Sequence, residues 1–275
     1  MALYRAAAVT VSRLYVVFPG PCSLSVQALD TGVGGIVDAL KAAGLYNNSI
    51  IVFSTDNGGT EYSNYPLRGQ KETLYEGGVR GVGWVHSPHL SVRGSVSKER
   101  MYVTDWLATL LTVAGLGSLL PAGTDSLNMW PSLSWGRESP RDEIVLNLDQ
   151  VNFGQLPRLS LTHPHVQDTW WGTWSAAIIA GKYKLIWGQS LLLKQWREEE
   201  SCNLQLYNLK KDPGEKDNLL EKSPRRKTVA FMRGLLMEHF RTMTPADWPS
   251  TQIMAKSDPA NYGGVLSTGW CQDWS

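Results

Sequence analysis

The run from Leu29 to Gly59 constrains the fold more than any other stretch of this chain. Leu29, Val33, Ile36, Val37 and Leu40 fall at i, i+4, i+7, i+8 and i+11, one face of an α-helix. Gly44 stands where a left-handed C-terminal cap belongs. After a short connection, Ile50–Ser54 (IIVFS) is a continuous apolar run rich in branched residues, which reads as a buried strand. Helix, short loop and buried strand make half of an α/β unit with a parallel sheet. The strand gives way at once to Asp56-Asn57-Gly58-Gly59. Ligands of open parallel sheets bind at the carboxyl ends of strands, so this is the first place to look for chemistry.

Further along, Arg80–Pro88 (RGVGWVHSP) reads as a second strand closed by its proline. Thr104 can cap a helix from Asp105 to about Gly115, with Val103, Trp106, Leu107, Leu110, Leu111 and Ala114 on its inner side. Pro, Ser and Gly cluster between residues 121 and 140, the natural boundary between two parts. Beyond it, Glu143–Leu148 is strand-like, and Ser175–Gly188 reads as a hairpin turning near Gly181. Asn203–Leu219 reads as a strand ending in an Asp-Pro-Gly turn. A helix from about Arg225 to Phe240 follows, with Val229, Met232, Leu236 and Phe240 on one side. The expected organisation is an atypical N-terminal segment (1–28), an α/β part (29–140) and a smaller α+β subdomain (141–275). No internal repeat or low-complexity segment is present.

Composition narrows the function classes. A net charge of +1 gives no basic excess of the kind nucleic-acid binders carry, and the short run Ser223–Lys227 (SPRRK) reads as a solvated helix start. There is no run of 18 apolar residues and hence no expected membrane-spanning helix. The apolar stretches near the N-terminus are broken by Arg5 and Arg13, a poor secretory signal. Of 12 tryptophans, several, including Trp170, Trp171 and Trp174, lie in the second half. Their faces can stack on sugars, but they more often fill cores and pin loops. The cysteines Cys22, Cys202 and Cys271 fit no zinc spacing; Cys202 and Cys271 could pair in a disulfide, leaving Cys22 over.

Asp56 and Asn57 offer a carboxylate and an amide carbonyl, hard oxygen ligands suited to Ca²⁺ or Mg²⁺. Gly58 and Gly59 then let the backbone turn without a side chain crowding an ion. Lys71 could place a positive charge on an anionic substrate oxygen, and Arg68 and Arg80 are further candidates. Taken alone, Asp-Asn-Gly is more readily a plain Asx-type turn, Glu76-Gly77-Gly78 is an ordinary loop, and the two arginines are more often salt-bridge partners than ligands.

The combined spacing is more informative. FSTDNGG, then PLRGQKETLYEGGVRG, then DWLATLL resemble the sulfatase family, in particular arylsulfatases of the arylsulfatase B type. The resemblance starts near Leu29 and returns at AAIIAGKYKLIWG and LQLYNLKKDPGEKDNL, so it runs to the C-terminus. It implies an alkaline-phosphatase-like α/β sandwich with a smaller C-terminal subdomain, and calcium-dependent hydrolysis of sulfate esters on aryl groups or glycosaminoglycan sugars. Position by position, it implies that Asp56 and Asn57 are ligands of a bound Ca²⁺ and that Lys71 contacts the substrate sulfate. It also implies a lysosomal or secreted home. The sequon Asn47-Asn48-Ser49, with Asn47 the glycan acceptor, agrees with that.

The sequence also departs from the family. The nucleophile is a formylglycine made from cysteine in a Cys-x-Pro-Ser-Arg context, and none of the three cysteines has arginine four residues on. The family's N-terminal metal-binding aspartates and the Lys-x-His segment have no match. His86 and His89 flank Pro88 in an expected surface loop, and Ala108 stands where the family has proline. The expectation is a C-terminal portion of a sulfatase, inactive by itself, with an incomplete Ca²⁺ site and an exposed apolar edge. The alternative is a short non-catalytic protein that binds a sulfated glycan or a partner. A phosphatase of the same superfamily fits less well, because such enzymes gather more Asp and His ligands around two zinc ions.

Overall fold

The computed structural model describes residues 2–7, 21–59, 64–150, 174–188 and 204–244. It divides into two compact units, Met1–Met237 and Glu238–Ser275. The described part of the second is the end of the last helix, where Thr242 Oγ1 donates to Glu238 O at 3.2 Å.

The helix expected from Leu29 is α1 (Pro21–Ala42), closed by Gly44 at φ 70°. A 3-10 turn (Tyr46–Asn48) leads into β2 (Ile51–Ser54). Among the described residues of the loop after β2, the one helix is the single turn α2 (Glu76–Val79), before β3 (Arg80–His86). Ala2–Ala7 forms β1, and Met101–Tyr102 forms β4. The four strands make a mixed sheet in the order β2-β3-β1-β4.

Three expectations change here. β2 runs antiparallel to β3, pairing Ile51 with His86 and Ser54 with Gly83, whereas only β1 and β3 are parallel. The connection between β2 and β3 lacks the crossover helix that a parallel neighbour requires, so the chain simply returns. β2 is also an edge strand, half-buried rather than buried. Ala2–Ala7, within the N-terminal segment set apart from the α/β part, pair with both β3 and β4.

The first core gathers Val85, Leu90, Met101, Met129 and Leu133, with Ile50, Val52, Trp106 and Trp130 against it. Helix α3 (Asp105–Val113) and the short α4 (Trp130–Trp135) frame it. The face that α3 turns inward is not the leucine side. Asp105, Ala108 and Thr109 are buried, while Leu107 and Leu110 are 48% and 40% exposed. The inner side is polar because the following loop is tied to it. Thr109 Oγ1 accepts from Met129 N at 2.8 Å, and Ser126 Oγ accepts from Ala108 N at 2.8 Å. The second bond uses an N–H that a proline at this position would lack. Thr104 makes no side-chain cap; Asp105 instead accepts from Tyr102 N at 2.7 Å. The stripe on α1 is likewise only partly covered, with Val37 buried but Leu29 and Ile36 50% and 57% exposed. Among the described residues, exposed apolar side chains occur on both helices, and Val82 on β3 is 57% exposed.

The second sheet is an antiparallel meander, β5 (Glu143–Gln150), β6 (Trp174–Ala180), β7 (Tyr183–Gly188) and β8 (Gln205–Asn208). The β6–β7 hairpin turns at Gly181, whose φ of 52° suits glycine. One-turn α5 (Leu219–Lys222) is capped by Asn218, and α6 (Arg226–Thr242) follows. Helix α6 buries Met232 and Leu236, and Arg233 lies 4.5 Å above the Trp187 ring. Residues such as Ile178, Leu185 and Leu206 are fully buried, each contributing roughly 2 kcal/mol of transfer free energy.

Candidate functional site

Beyond β2, Thr55 N still donates to Val82 O at 2.9 Å, so Asp56 and Asn57 leave the sheet from a fixed point. Asn57 N donates to Asp56 Oδ1 at 2.9 Å. The Asn57 side-chain amide donates to Gly58 O, which leaves the amide oxygen as the acceptor of that side chain. The Asp-Asn-Gly-Gly segment is not a self-contained turn. Gly58 N donates to Gly78 O at 2.7 Å, and Lys71 N donates to Gly59 O at 2.8 Å. Asn64 Nδ2 adds bonds to Gly77 O at 3.0 Å and Arg80 O at 3.3 Å. The glycines are required by this close approach. A Cβ at Gly58 would lie 1.8 Å from Gly77 O, and one at Gly77 would lie 2.2 Å from Gly69 O. Glu72, next to Lys71, holds a left-handed φ of 77°.

Together these contacts form an open cleft of about 400 Å³, lined by Asp56, Asn57, Gly58, Gly59, Asn64, Lys71 and Arg80, with Thr55 and Val82 at its margin. The three residues singled out from sequence, Asp56, Asn57 and Lys71, thus meet at one place, and Arg80 joins them. Asp56 and Lys71 are exposed and Asn57 half-buried. Arg68 points elsewhere. Its guanidinium lies 4.2 Å from the Tyr75 ring centroid and donates to Tyr207 Oη at 2.9 Å and Glu215 O at 3.2 Å. His86 is not a loop residue: it ends β3, half-buried, with its ring 2.7 Å from Tyr46 Oη. His89 is exposed. Asn47 is exposed on its 3-10 turn, with Ser49 Oγ donating to Leu45 O at 2.8 Å. Cys202 and Cys271, the expected disulfide partners, and Trp170 and Trp171 lie outside the described residues.

Sequence reasoning missed what stands behind the cleft. Lys184 of β7 is wholly buried, its Nζ 3.0 Å from Glu76 Oε1 and 2.8 Å from Glu215 Oε1. Glu76 Oε2 lies 3.7 Å from the Arg80 guanidinium, and Glu215 Oε2 accepts from Glu76 N at 2.5 Å. Burial pushes the Glu215 carboxyl above the usual carboxylate range, against the pull of Lys184 and with the push of Glu76. Burial likewise raises the Tyr207 hydroxyl, countered by Arg68. Alternation along β7 gave no signal of this cluster, because both of its faces are buried, Leu185 and Trp187 on one and Lys184 and Ile186 on the other.

As a cation site, the cleft supplies a carboxylate oxygen and an amide oxygen on a glycine-walled floor, hard donors that suit Ca²⁺. Among the described residues no group of three or more His, Cys, Asp or Glu side chains gathers as a metal cage. Asp56 and Asn57 therefore fit as part of a calcium site, since the ion takes about 6–8 oxygens.

A sulfatase family model matches residues 24–116, the span that carries α1, β2 and the cleft loop. The chain is 31% identical over 268 residues to mouse arylsulfatase J, covering 87% of this chain and 42% of that protein. It is 29% identical to human arylsulfatase A, covering 73% of this chain and 39% of that protein.

The chain belongs to the sulfatase family.

It spans less than half the length of these curated relatives. Among solved structures it resembles BT4656 in complex with its substrate D-glucosamine-2-N,6-O-disulfate, with a TM-score of 0.54 and 21% identity over 78% of this chain and 39% of that one. At that identity the likeness speaks for the fold alone, which is the alkaline-phosphatase-like α/β fold of sulfatases. The sulfatase-family resemblance expected from the sequence holds. None of the described helices is long and apolar enough to cross a membrane.

Proposed function

We propose that this sulfatase-family chain carries one side of a sulfate-ester site of arylsulfatase type. Asp56 and Asn57 would hold Ca²⁺ through a carboxylate and an amide oxygen, and Lys71 would contact the sulfate, with Arg80 as a second cation. The supporting observation is that these four residues, drawn from the loop after β2 and the first position of β3, line one cleft. Calcium, when bound, would neutralise sulfate oxygens and polarise the sulfur centre. Lys71 would place its ammonium on a sulfate oxygen where charge develops, and the planar Arg80 fork suits a tetrahedral oxyanion. The substrate class is a sulfate ester of an aryl group or a sugar. Its support is that the relatives are arylsulfatases and that the substrate named for BT4656 is a sulfated glucosamine. A lysosomal or secreted setting with a glycan on Asn47 accompanies this reading.

The 275 residues contain no Cys-x-Pro-Ser-Arg. We therefore expect the chain by itself to bind but not to turn over a fluorogenic aryl sulfate. Titrating the full chain with Ca²⁺ and with inorganic sulfate tests the site. Asp56→Ala should weaken the calcium response and Lys71→Ala the sulfate response. Turnover of the aryl sulfate that disappears in Lys71→Ala would overturn the expectation of an inert chain. The exposed Lys71 in this cleft favours a second reading, a non-catalytic binder of sulfated glycan. Retention on a heparin-like resin that is lost in Lys71→Ala would support it.

A further inference from the structure

We propose that Glu76, Lys184 and Glu215 are positioning residues. From the second sheet they set the loop that closes the cleft around Asn57 and Lys71. The bonds form a continuous path. Lys184 Nζ, fixed on β7, bridges one carboxylate oxygen of Glu76 and one of Glu215 at 3.0 and 2.8 Å. The other Glu215 oxygen takes the Glu76 N–H at 2.5 Å, so Glu76 is held by its backbone as well as its side chain. The next two residues are Gly77 and Gly78. Gly77 O accepts from Asn64, and Gly78 O accepts from Gly58, the neighbour of Asn57. The second Glu76 oxygen faces Arg80, which lines the cleft.

Two features set this cluster apart from a general stabiliser. A buried ion pair is weak evidence for stability, because apolar residues of the same volume often do as well. Here three wholly buried ionisable side chains sit where loop meets sheet, beside an apolar cluster of Tyr75, Ala177, Ile186 and Tyr207 that already joins the two. In addition, Glu215 adopts a left-handed φ of 53°, a conformation that is costly for a non-glycine residue and that persists where the surroundings demand it. The demand here is delivery of a carboxylate to both Lys184 and the Glu76 amide.

That the loop carries ligands rests on the function proposed above; the clamp itself does not. The test therefore uses readouts that need no ligand. In the full chain, residue-resolved hydrogen exchange would follow the amides of Gly58 and Lys71. Ageing at neutral pH would follow the Asn57-Gly58 peptide by mass. In that reaction the Gly58 nitrogen attacks the Asn57 carboxamide carbon, ammonia leaves, and water opens the succinimide to aspartate or isoaspartate. It can proceed only when the Gly58 N–H is released from Gly78 O. Glu76→Gln and Glu215→Gln are the variants. Asp105→Asn, which weakens the buried Asp105–Arg141 pair away from the cleft, is the control for lost global stability.

We expect both triad variants to exchange Gly58 and Lys71 roughly tenfold faster or more, while the control leaves these amides unchanged relative to its own core. The acid form of Asn57 should accumulate faster in the same two variants only. Equal acceleration in Asp105→Asn, or full protection in either triad variant, would overturn the proposal. So would failure of both triad variants to fold, since the cluster would then be a determinant of the fold. Absence of calcium and sulfate binding by the unmodified chain would sink the site reading and leave the clamp standing.

Discussion

Arg141 meets Asp105 at the start of α3, with Nε donating to Oδ2 at 2.8 Å and the second guanidinium nitrogen on Oδ1. The carboxylate is fully buried and also accepts the amides of Tyr102 at 2.7 Å and Leu127 at 2.9 Å. One side chain thus joins β4, α3, the loop before α4 and the residues leading into β5.

Asp105→Ala removes all four acceptor contacts and leaves the Arg141 guanidinium, itself largely buried, without its anion. Breaking a buried pair from one side costs about 3–5 kcal/mol. Urea unfolding followed by tryptophan fluorescence should show a midpoint shift of that size. A loss under about 1 kcal/mol would mean that water or another group takes over the arginine.

Thr109 and Leu110 offer the opposite ranking from the one hydrophobicity suggests. Leu110 is 40% exposed, so Leu110→Ala should change stability by no more than about 0.5 kcal/mol. Thr109→Val keeps the shape but strands the Met129 amide, which should cost about 1–3 kcal/mol. Parallel denaturation curves of the two variants decide it, and the reverse order would mean that the apolar face of α3 is covered in solution.

Gly78 lies against backbone on two sides, and a Cβ there would meet Gln70 O and Thr73 O at 2.3 Å. These are main-chain atoms that cannot swing away. Gly78→Ala should therefore cost about 1–3 kcal/mol or more and displace the carbonyl that holds Gly58. Loss of sulfate or calcium response together with faster exchange at Gly58 is the expected pair of results.

These comparisons also show what was legible in the sequence. Ile51–Ser54, Arg80–His86 and the hairpin at Gly181 were readable because branched residues between glycines and prolines mark strands. The direction of β2 was not, since an apolar run carries no information about which neighbour it meets. For α3, the leucines at helical spacing pointed to the wrong face. Asp105 and Thr109 are inside because loop amides 22 and 20 positions away need acceptors, a need that local periodicity does not register. Asp56, Asn57 and Lys71 could be found as a group through their loop. Glu76, Lys184 and Glu215 could not, because 108 residues separate Glu76 from Lys184 and each looks ordinary in its own segment.

Lys71 is exposed and its ammonium supports no described core contact. Lys71→Ala should leave the unfolding midpoint within about 0.5 kcal/mol of the unmodified chain. Any weakening of sulfate binding would then reflect lost charge in the cleft. A large drop in stability would instead mark Lys71 as part of the clamp.

Glu215 gives the cluster a pH dependence with a definite sign. Its ordinary value is 4.5, and in the folded chain burial raises it. The folded state therefore binds this proton more readily than the unfolded state does. The linkage contribution of Glu215 to stability is full below 4.5 and is lost as pH rises through the folded value. Glu215→Gln cannot titrate, so its stability lacks this component. Subtracting the two stability curves from urea titrations between acid and neutral pH should leave a difference that declines as pH increases above 4.5. A difference that grows with pH would mean that Lys184 and the Glu76 amide outweigh burial, holding Glu215 ionised and its folded value below the ordinary one. Lys184→Met provides the cross-check. Without the ammonium the pull of Lys184 on Glu215 is lost and the push of the Glu76 charge remains, so the decline should extend to higher pH.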